Sequence, residues 1–323
     1  MTPSQKTPLR VAFQMDPMDG LNLKGDSTFA LMAEAQDRGH QLYHILPDDV
    51  TYEDGRVMAF AHPVTVQYED GNHYAFGEGV RLDLRTDIDV IQMRQDPPFD
   101  MHYITLTHLL ELISDETLVI NNPREVRNAP EKLFVTMFQD LMPPTMITRR
   151  LADMEAFRQK HGDIIIKPLY GMGGLGVFHL RPDDSNIHSL AELFQASSRE
   201  QLIVQKFLPE VKAGDKRIIL VDGEVAGAIN RIPADGEVRS NLAVGGRAVK
   251  TDLTDRELEI CERLKPELKK RGLIFVGIDV IGKYLTEINV TSPTGLMGIK
   301  DFNGINVAAM IWDAAEEKVA AKA

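Results

Sequence analysis

The sequence predicts a chain of α/β and α+β class: a Rossmann-like N-terminal domain, then a second unit, then a mainly antiparallel last one. Three observations predict it. A β-α-β pattern opens the chain at 9–46. A glycine-rich stretch at 170–176 lies between two strands rather than ahead of a helix. A hairpin at 274–293 places Asp279, Glu287 and Asn289 in strands that are otherwise apolar.

Taken in order, residues 9–13 read as a first strand. Asp26 and Ser27 can cap a helix that runs to Gly39, and 41–46 is a second strand. This opening implies a parallel sheet. It lacks the G-x-G-x-x-G turn, which argues against dinucleotide binding. Residues 57–74 alternate polar and apolar and contain the turn Glu69-Asp70-Gly71-Asn72, a β excursion. A strand at 89–93 delivers Arg94-Gln95-Asp96-Pro97-Pro98 into a loop. A helix at about 103–113 and a strand at 118–120 finish the first domain.

A helix at 131–140 opens the second unit. The strand at 164–168 enters the glycine-rich stretch, a strand at 177–180 leaves it, a helix follows at about 189–196, and 202–205 is a strand. The last unit begins with strands at 217–221 and 224–229 about the turn Asp222-Gly223. Next come a long loop, a helix at about 255–271, the hairpin, and a final helix at about 307–318.

In the hairpin, Ile278 and Val280 alternate with Asp279, while Ile288 and Val290 alternate with Glu287 and Asn289. Sharing the apolar face requires an odd loop, which a three-residue turn near Gly282 with a glycine bulge supplies. Asp279, Glu287 and Asn289 then converge on one face, and Leu285 is the exception to the pattern. Two carboxylates and an amide oxygen suit a hard cation such as Mg²⁺ that takes phosphate as a further ligand. The plainer alternative is an amphipathic hairpin whose acids face water.

Composition narrows the choices. The net charge of −12 and a pI near 5.3 argue against a nucleic-acid partner. The first eight residues are polar, without the apolar segment of a signal peptide, and no run is long enough to span a bilayer; a cytoplasmic protein is expected. The single cysteine, Cys261, excludes an internal disulfide and reads as a small core residue.

The glycine-rich stretch brings bare backbone N–H groups close enough to cradle phosphates. Lys167, after Ile164-Ile165-Ile166, is costly to bury without an anion, although it could also snorkel to water. Lys132 could equally be a surface helix lysine. The segment from Arg231 to Arg247 has few apolar anchors and reads as a mobile loop carrying Arg239 and Arg247, suited to a lid. No Ser-His-Asp or Cys-His set is present. ATP can activate a carboxylate directly as an acyl phosphate, which an amine then attacks. That chemistry needs phosphate-clamping cations, Mg²⁺ and exclusion of water.

The order of these parts resembles the ATP-grasp superfamily. Within it the chain is similar to bacterial glutathione synthetases from residue 10 to about 293. The resemblance is carried by Met15-Asp16-Pro17, Arg94-Gln95-Asp96-Pro97-Pro98, Asn128-Ala129-Pro130-Glu131-Lys132, Lys167-Pro168-Leu169-Tyr170-Gly171-Met172-Gly173-Gly174, Asp215-Lys216-Arg217, Arg231-Ile232-Pro233, Asn241 through Arg247, and the hairpin. It implies a Rossmann-like N-terminal substrate domain (1–128) and a two-part ATP-grasp domain, with a central lid subdomain (129–204) and a C-terminal catalytic subdomain (205–323). It also implies ligation of γ-glutamylcysteine to glycine with cleavage of ATP to ADP and phosphate, by a cytoplasmic homotetramer that binds neither nucleic acid nor membrane.

Carried over by residue, the resemblance implies ATP contacts from Lys132, Lys167, Gly171, Gly173, Gly174, Gln205, Lys206, Phe207, Leu208 and Asp215. Asp279, Glu287 and Asn289 would bind Mg²⁺ or Mn²⁺. Arg94, Asp96, Arg217, Arg231, Asn289 and Ser292 would line the γ-glutamylcysteine side, and Arg217, Arg231, Arg239 and Arg247 would act at the acyl phosphate. After Thr294 the chain departs from the family, with Gly295-Leu296-Met297-Gly298-Ile299 where a more polar stretch is expected. The alternatives are another ATP-grasp ligase, such as a D-alanine–D-alanine ligase or one that adds glutamate to a protein terminus, and a non-catalytic ATP-binding module similar to the synapsins.

Overall fold

A computed structural model describes residues 7–171, 173–237, 239–241 and 245–322. Three sheets organise them. In the first, Arg10–Gln14 pairs in parallel with Gln41–Ile45 on one side and Val90–Met93 on the other, and Leu118–Ile120 continues beyond. The helix Ser27–Asp37 connects the first two strands. Asp26 caps it, accepting from the Phe29 amide. The excursion is the long strand Arg56–Val66, antiparallel to Gln41–Ile45, with Val50–Glu53, Tyr74–Phe76 and Val80–Asp83 paired along it.

Strand order reverses at the first strand, so the chain leaves Gln14 and Met93 side by side. Such a reversal opens a crevice at the carboxyl ends of the strands. There the Asp96 amide donates to Asp16 Oδ2 at 2.7 Å and Gln14 Nε2 donates to Gln95 Oε1 at 3.0 Å. This fixes the loop that carries Arg94 and Asp96.

The second sheet is antiparallel, in the order Phe178–Leu180, Ile164–Pro168, Leu202–Lys206, Thr145–Thr148. Helices Leu151–His161 and Ile187–Ser197 cover one face and bury Ile164, Ile166 and Val204 against Met154, Phe157 and Leu190. The other face, with Ile165 and Gln205, is left for the cleft. The third sheet runs Arg247–Lys250, Glu224–Ile232, Asp215–Val221, Phe275–Ile281, Tyr284–Asn289, all antiparallel. Helix Asp255–Arg271 packs Ile260, Cys261, Leu264 and Leu268 into the core shared with Ile218, Ile278 and Ile288. Helices Leu296–Asn303 and Val307–Lys322 bury Ile299, Ile311 and Trp312 with Ile219 and Phe275.

The hairpin differs from expectation in an informative way. Its turn is the two residues Gly282 and Lys283, since Ile281 pairs with Tyr284. The odd residue is instead a bulge at Thr286: Val280 opposes Leu285, and Asp279 opposes Glu287. Parity is restored inside the strand rather than in the turn. This also resolves the apparent exception, because the bulge puts Leu285 on the apolar face, where it is fully buried.

The expected helix at 131–140 is a single α turn, Glu131–Phe134, that tightens into a 3₁₀ turn, Val135–Phe138. The Thr136 hydroxyl donates to the Leu133 carbonyl and competes with helical bonding there. The strand expected to stop at 229 continues to Ile232, which places Arg231 within the ladder. Pro123–Asn128, Thr145–Thr148, Leu151–His161, Arg247–Lys250 and Leu296–Asn303 are further elements, in stretches where the sequence predicts only connections.

Candidate active site

Strand register builds the site. In the third sheet Asp215 opposes Arg231, Arg217 opposes Asp279, Asp279 opposes Glu287, and Gly277 opposes Asn289. Directly opposed residues share a face, so six polar side chains form one charged surface at the end of the sheet. Arg217 grips Asp279 with both arms, Nε to Oδ1 at 2.5 Å and Nη2 to Oδ2 at 3.0 Å. Arg231 Nη2 bridges Asp279 Oδ1 at 3.0 Å and Asp215 Oδ2 at 2.6 Å. Asn289 Nδ2 reaches Asp279 Oδ2 at 3.5 Å. Gly277 leaves room opposite Asn289 for the Arg217 side chain: a Cβ there would lie 3.2 Å from Arg217 Cδ and 3.4 Å from its Nη1, so the arginine would have to shift slightly.

Facing this surface across a cleft of about 370 Å³ are the second sheet and the glycine-rich stretch. Lys167 Nζ donates to Glu287 Oε1 at 2.8 Å. Lys132 Nζ bonds Glu131 and the Gly171 carbonyl, the latter at 2.6 Å, and lies 3.9 Å from Glu287 Oε1. Both lysines are therefore buried with anionic partners, not snorkelled. Gln205, Lys206, Phe207 and Leu208 line the same cleft, and Gln205 Nε2 donates to Thr145 Oγ1 at 3.0 Å.

Opposing charges set the titration of the group. Burial alone would raise the Asp279 carboxyl, but Arg217 and Arg231 hold it well below the usual carboxylate range. Burial likewise works against Glu287, and Lys167 and Lys132 hold it down. For Asp215 burial prevails over Arg231 and pushes the carboxyl up to about 6. Glu131 is pushed up by burial and by the Glu287 charge. Burial would lower Lys132, but Glu287 and Glu131 keep it above its ordinary value.

Among the described residues no group of three or more His, Cys, Asp or Glu side chains could hold a metal. The expected set has two carboxylates and an amide. They fit a hard cation: Asp279 and Glu287 are directly opposed, Asn289 shares their face, and all three line the cleft.

Two family models match the chain. The N-terminal domain of prokaryotic glutathione synthetase matches residues 9–127, and its ATP-grasp domain matches residues 131–304. The chain belongs to the prokaryotic glutathione synthetase family. It is 56% identical over 310 residues to the glutathione synthetase of Mesorhizobium japonicum, covering 96% of this chain and 99% of the relative. To that of Salmonella typhi it is 42% identical over 314 residues, covering 97% and 99%. Solved structures similar in fold include the D-cycloserine synthetase DcsG, with a TM-score of 0.67 at 16% identity, covering 96% of this chain and 99% of that one. The ATP-grasp ligase PsnB complexed with a minimal precursor gives 0.63 at 16% identity, covering 98% and 100%. The fold is thus ATP-grasp, with an N-terminal domain ahead of it, and the protein is an ATP-dependent ligase.

Most of the expected site residues meet in the cleft: Asp96, Lys132, Lys167, Gly171, Gly173, Gly174, the run 205–208, Asp215, Arg217, Arg231, Arg239, Asp279, Glu287, Asn289 and Ser292. Two do not. Arg94 stands behind the wall, almost fully buried, with Nε on Thr28 Oγ1 at 2.9 Å and Nη2 on the Pro293 carbonyl at 3.0 Å. It supports the segment that carries Ser292, whose hydroxyl donates to Asp96 Oδ1 at 3.0 Å. Arg247 begins an exposed edge strand opposite Ile232, away from the cleft lining. Of the expected lid, Val238 and residues 242–244 lie outside the described residues.

Sequence reasoning passed over Glu131, Ser240 and Thr286. Glu131 sits beside Lys132 in a segment already singled out, so its charge was the available signal. The Ser240 hydroxyl, buried in the loop, donates to Asp215 Oδ2 at 2.7 Å. Nothing local in the sequence marks it.

Proposed function

We propose that this enzyme joins γ-glutamylcysteine to glycine, forming glutathione, ADP and phosphate through an acyl phosphate. The observation that carries the reading is the cross-strand row Arg217–Asp279–Glu287 facing Lys167, Lys132 and the glycine-rich stretch across one cleft. Family membership supports the substrates.

In this reading Lys132 and Lys167 take the ATP phosphates, exchanging the carboxylates they now hold for phosphate oxygens. Gln205, Lys206, Phe207 and Leu208 receive the base. A substrate carboxylate oxygen attacks the γ-phosphorus and ADP leaves. Arg217 and Arg231 lie where charge accumulates on the transferred phosphoryl group, and as fixed cations they need no reorganisation. The glycine amine then attacks the acyl carbon, phosphate departs, and the amine loses a proton. Asp279, Glu287 and Asn289 would hold Mg²⁺ or Mn²⁺, which when bound neutralises phosphate charge. Asp96 and Ser292 border the dipeptide end, with Arg94 positioning Ser292 from behind. Arg239, which lines the cleft, belongs to the loop proposed to shield the intermediate from water, whereas Arg247 begins the edge strand that follows that loop.

A three-part division, expected at 1–128, 129–204 and 205–323, is supported by the three separate sheets, but the strand Leu202–Lys206 belongs to the second sheet and moves the second boundary beyond 206. No helix among the described residues is long and apolar enough to cross a membrane. A cytoplasmic homotetramer rests on the family resemblance, and sedimentation equilibrium tests its oligomeric part. The test of function is to mix enzyme, ATP, Mg²⁺, γ-glutamylcysteine and glycine. Phosphate and glutathione are expected in equal amounts, with neither formed when the dipeptide is omitted. Phosphate release independent of the dipeptide overturns the reading.

A further inference from the structure

The base end of the cleft contains a pairing that the functional reading does not use. In the second sheet Ile165 opposes both His179 and Gln205, so all three side chains share the cleft-facing side. Ile165 and Gln205 line the cleft, and Phe207 follows at the end of the same strand. The His179 ring stacks on Phe207 with centroids 4.1 Å apart and planes 23° apart. His179 Nε2 in turn lies 2.9 Å from Asp163 Oδ2. Asp163 also acts on the backbone, its carbonyl accepting from the Phe207 amide at 2.9 Å. One residue thus fixes Phe207 twice, by its main chain and through the His179 ring.

We propose that His179, oriented by Asp163, is a positioning residue for the nucleotide base, acting by holding Phe207 in the strand that receives it. The inference rests on the reading that the cleft takes ATP. A stacked pair of rings restricts Phe207 to one rotamer at little further entropic cost when the base arrives. Base contacts are the same in the ground and transition states, so their loss affects binding rather than turnover.

The test is calorimetric titration of wild type, His179→Ala and His179→Phe with ADP plus Mg²⁺, and separately with inorganic tripolyphosphate, which has no base. His179→Ala is expected to weaken ADP roughly three- to tenfold and to leave tripolyphosphate within about twofold. His179→Phe keeps a ring on Phe207 without the Asp163 bond and restores ADP affinity in part. In turnover, KM for ATP rises in His179→Ala while kcat changes by less than about twofold. A folded His179→Ala with wild-type ADP affinity overturns the proposal. So does equal weakening of both ligands, which marks a general loss of subdomain structure. Wild type that fails to bind ADP at all overturns the nucleotide reading beneath it.

Discussion

At Glu287 one carboxylate serves two lysines and, in the proposed reaction, the metal. Glu287→Gln keeps the side chain's shape, and the fold is expected to persist because the residue is only partly buried. Turnover is expected to fall at least roughly tenfold, because a neutral amide is a poor partner for a hard cation beside polyphosphate. Near-wild-type turnover at moderate Mg²⁺ would remove Glu287 from the metal set. Cys261 provides the opposite case. Burial pushes its thiol up to about 12, so at neutral pH it is a protonated core group, not a nucleophile. Cys261→Ala should retain activity and lose about 1 kcal/mol to a small cavity, measured by urea unfolding. A folded but inactive variant would point to a covalent thiol step and against direct acyl-phosphate chemistry. Asp215 provides a pH signature. Its carboxyl is raised from 3.8 to about 6, so the folded state binds the proton more tightly than the unfolded one. The protonated form is the stabilised one. Wild type therefore loses stability relative to Asp215→Asn as pH rises from about 4 to 6, by an amount on the order of 2–3 kcal/mol. Unfolding curves of both proteins across that range check it. A difference that is flat with pH means Asp215 is already ionised at pH 4.

Elements with explicit end signals were legible. Asp255–Arg271 has Thr254 capping Glu257 reciprocally and ends at Gly272 with φ 64°, a left-handed position natural to glycine. Thr254→Ala should cost about 1 kcal/mol with KM for ATP unchanged, since the cap lies outside the cleft lining. A shifted KM would show that the helix end transmits strain into the third sheet, through Lys216 Nζ on Glu257 Oε2 at 2.8 Å. The hairpin was legible in its faces but not in the device that sets them. Period two requires that one residue be absorbed somewhere between Asp279 and Glu287, and a turn or a bulge satisfies it equally. Only the long-range fit decides, and Leu285 in the core decides for the bulge. The short Thr145–Thr148 strand was invisible for a related reason: it is defined by pairing with Leu202–Lys206, not by any pattern of its own.

At the scale of the molecule, sequence order conveyed the parts of the site and hid their partners. Lys167 and Glu287 are 120 positions apart and belong to different sheets, and no local pattern joins them. Similarly, Arg94 is a candidate ligand by the family resemblance alone. Its place behind Pro293 depends on how the first domain packs against the third sheet. If the cleft takes nucleotide as proposed, the same long-range pairing should make it respond as a whole. The Lys167–Glu287 bond joins the second sheet to the third, and Lys132 joins its short helix to the glycine-rich stretch through the Gly171 carbonyl. Phosphate oxygens would replace these partners with stronger ones shared by both sides, so ADP with Mg²⁺ should stabilise the entire fold. At a hundredfold excess over its dissociation constant the gain is about 2.7 kcal/mol, visible as a rise in the thermal midpoint. Lys167→Met removes the cation and leaves Glu287 facing Lys132 alone. Without nucleotide this variant should melt somewhat below wild type. With nucleotide it should lose most of the increment, because the phosphates then lose the cation that the second sheet directs at Glu287. The informative quantity is the difference between the two increments at matched ADP concentration. An undiminished increment in Lys167→Met would mean that the phosphates bind without Lys167, leaving its bond to Glu287 a purely structural tie between the sheets.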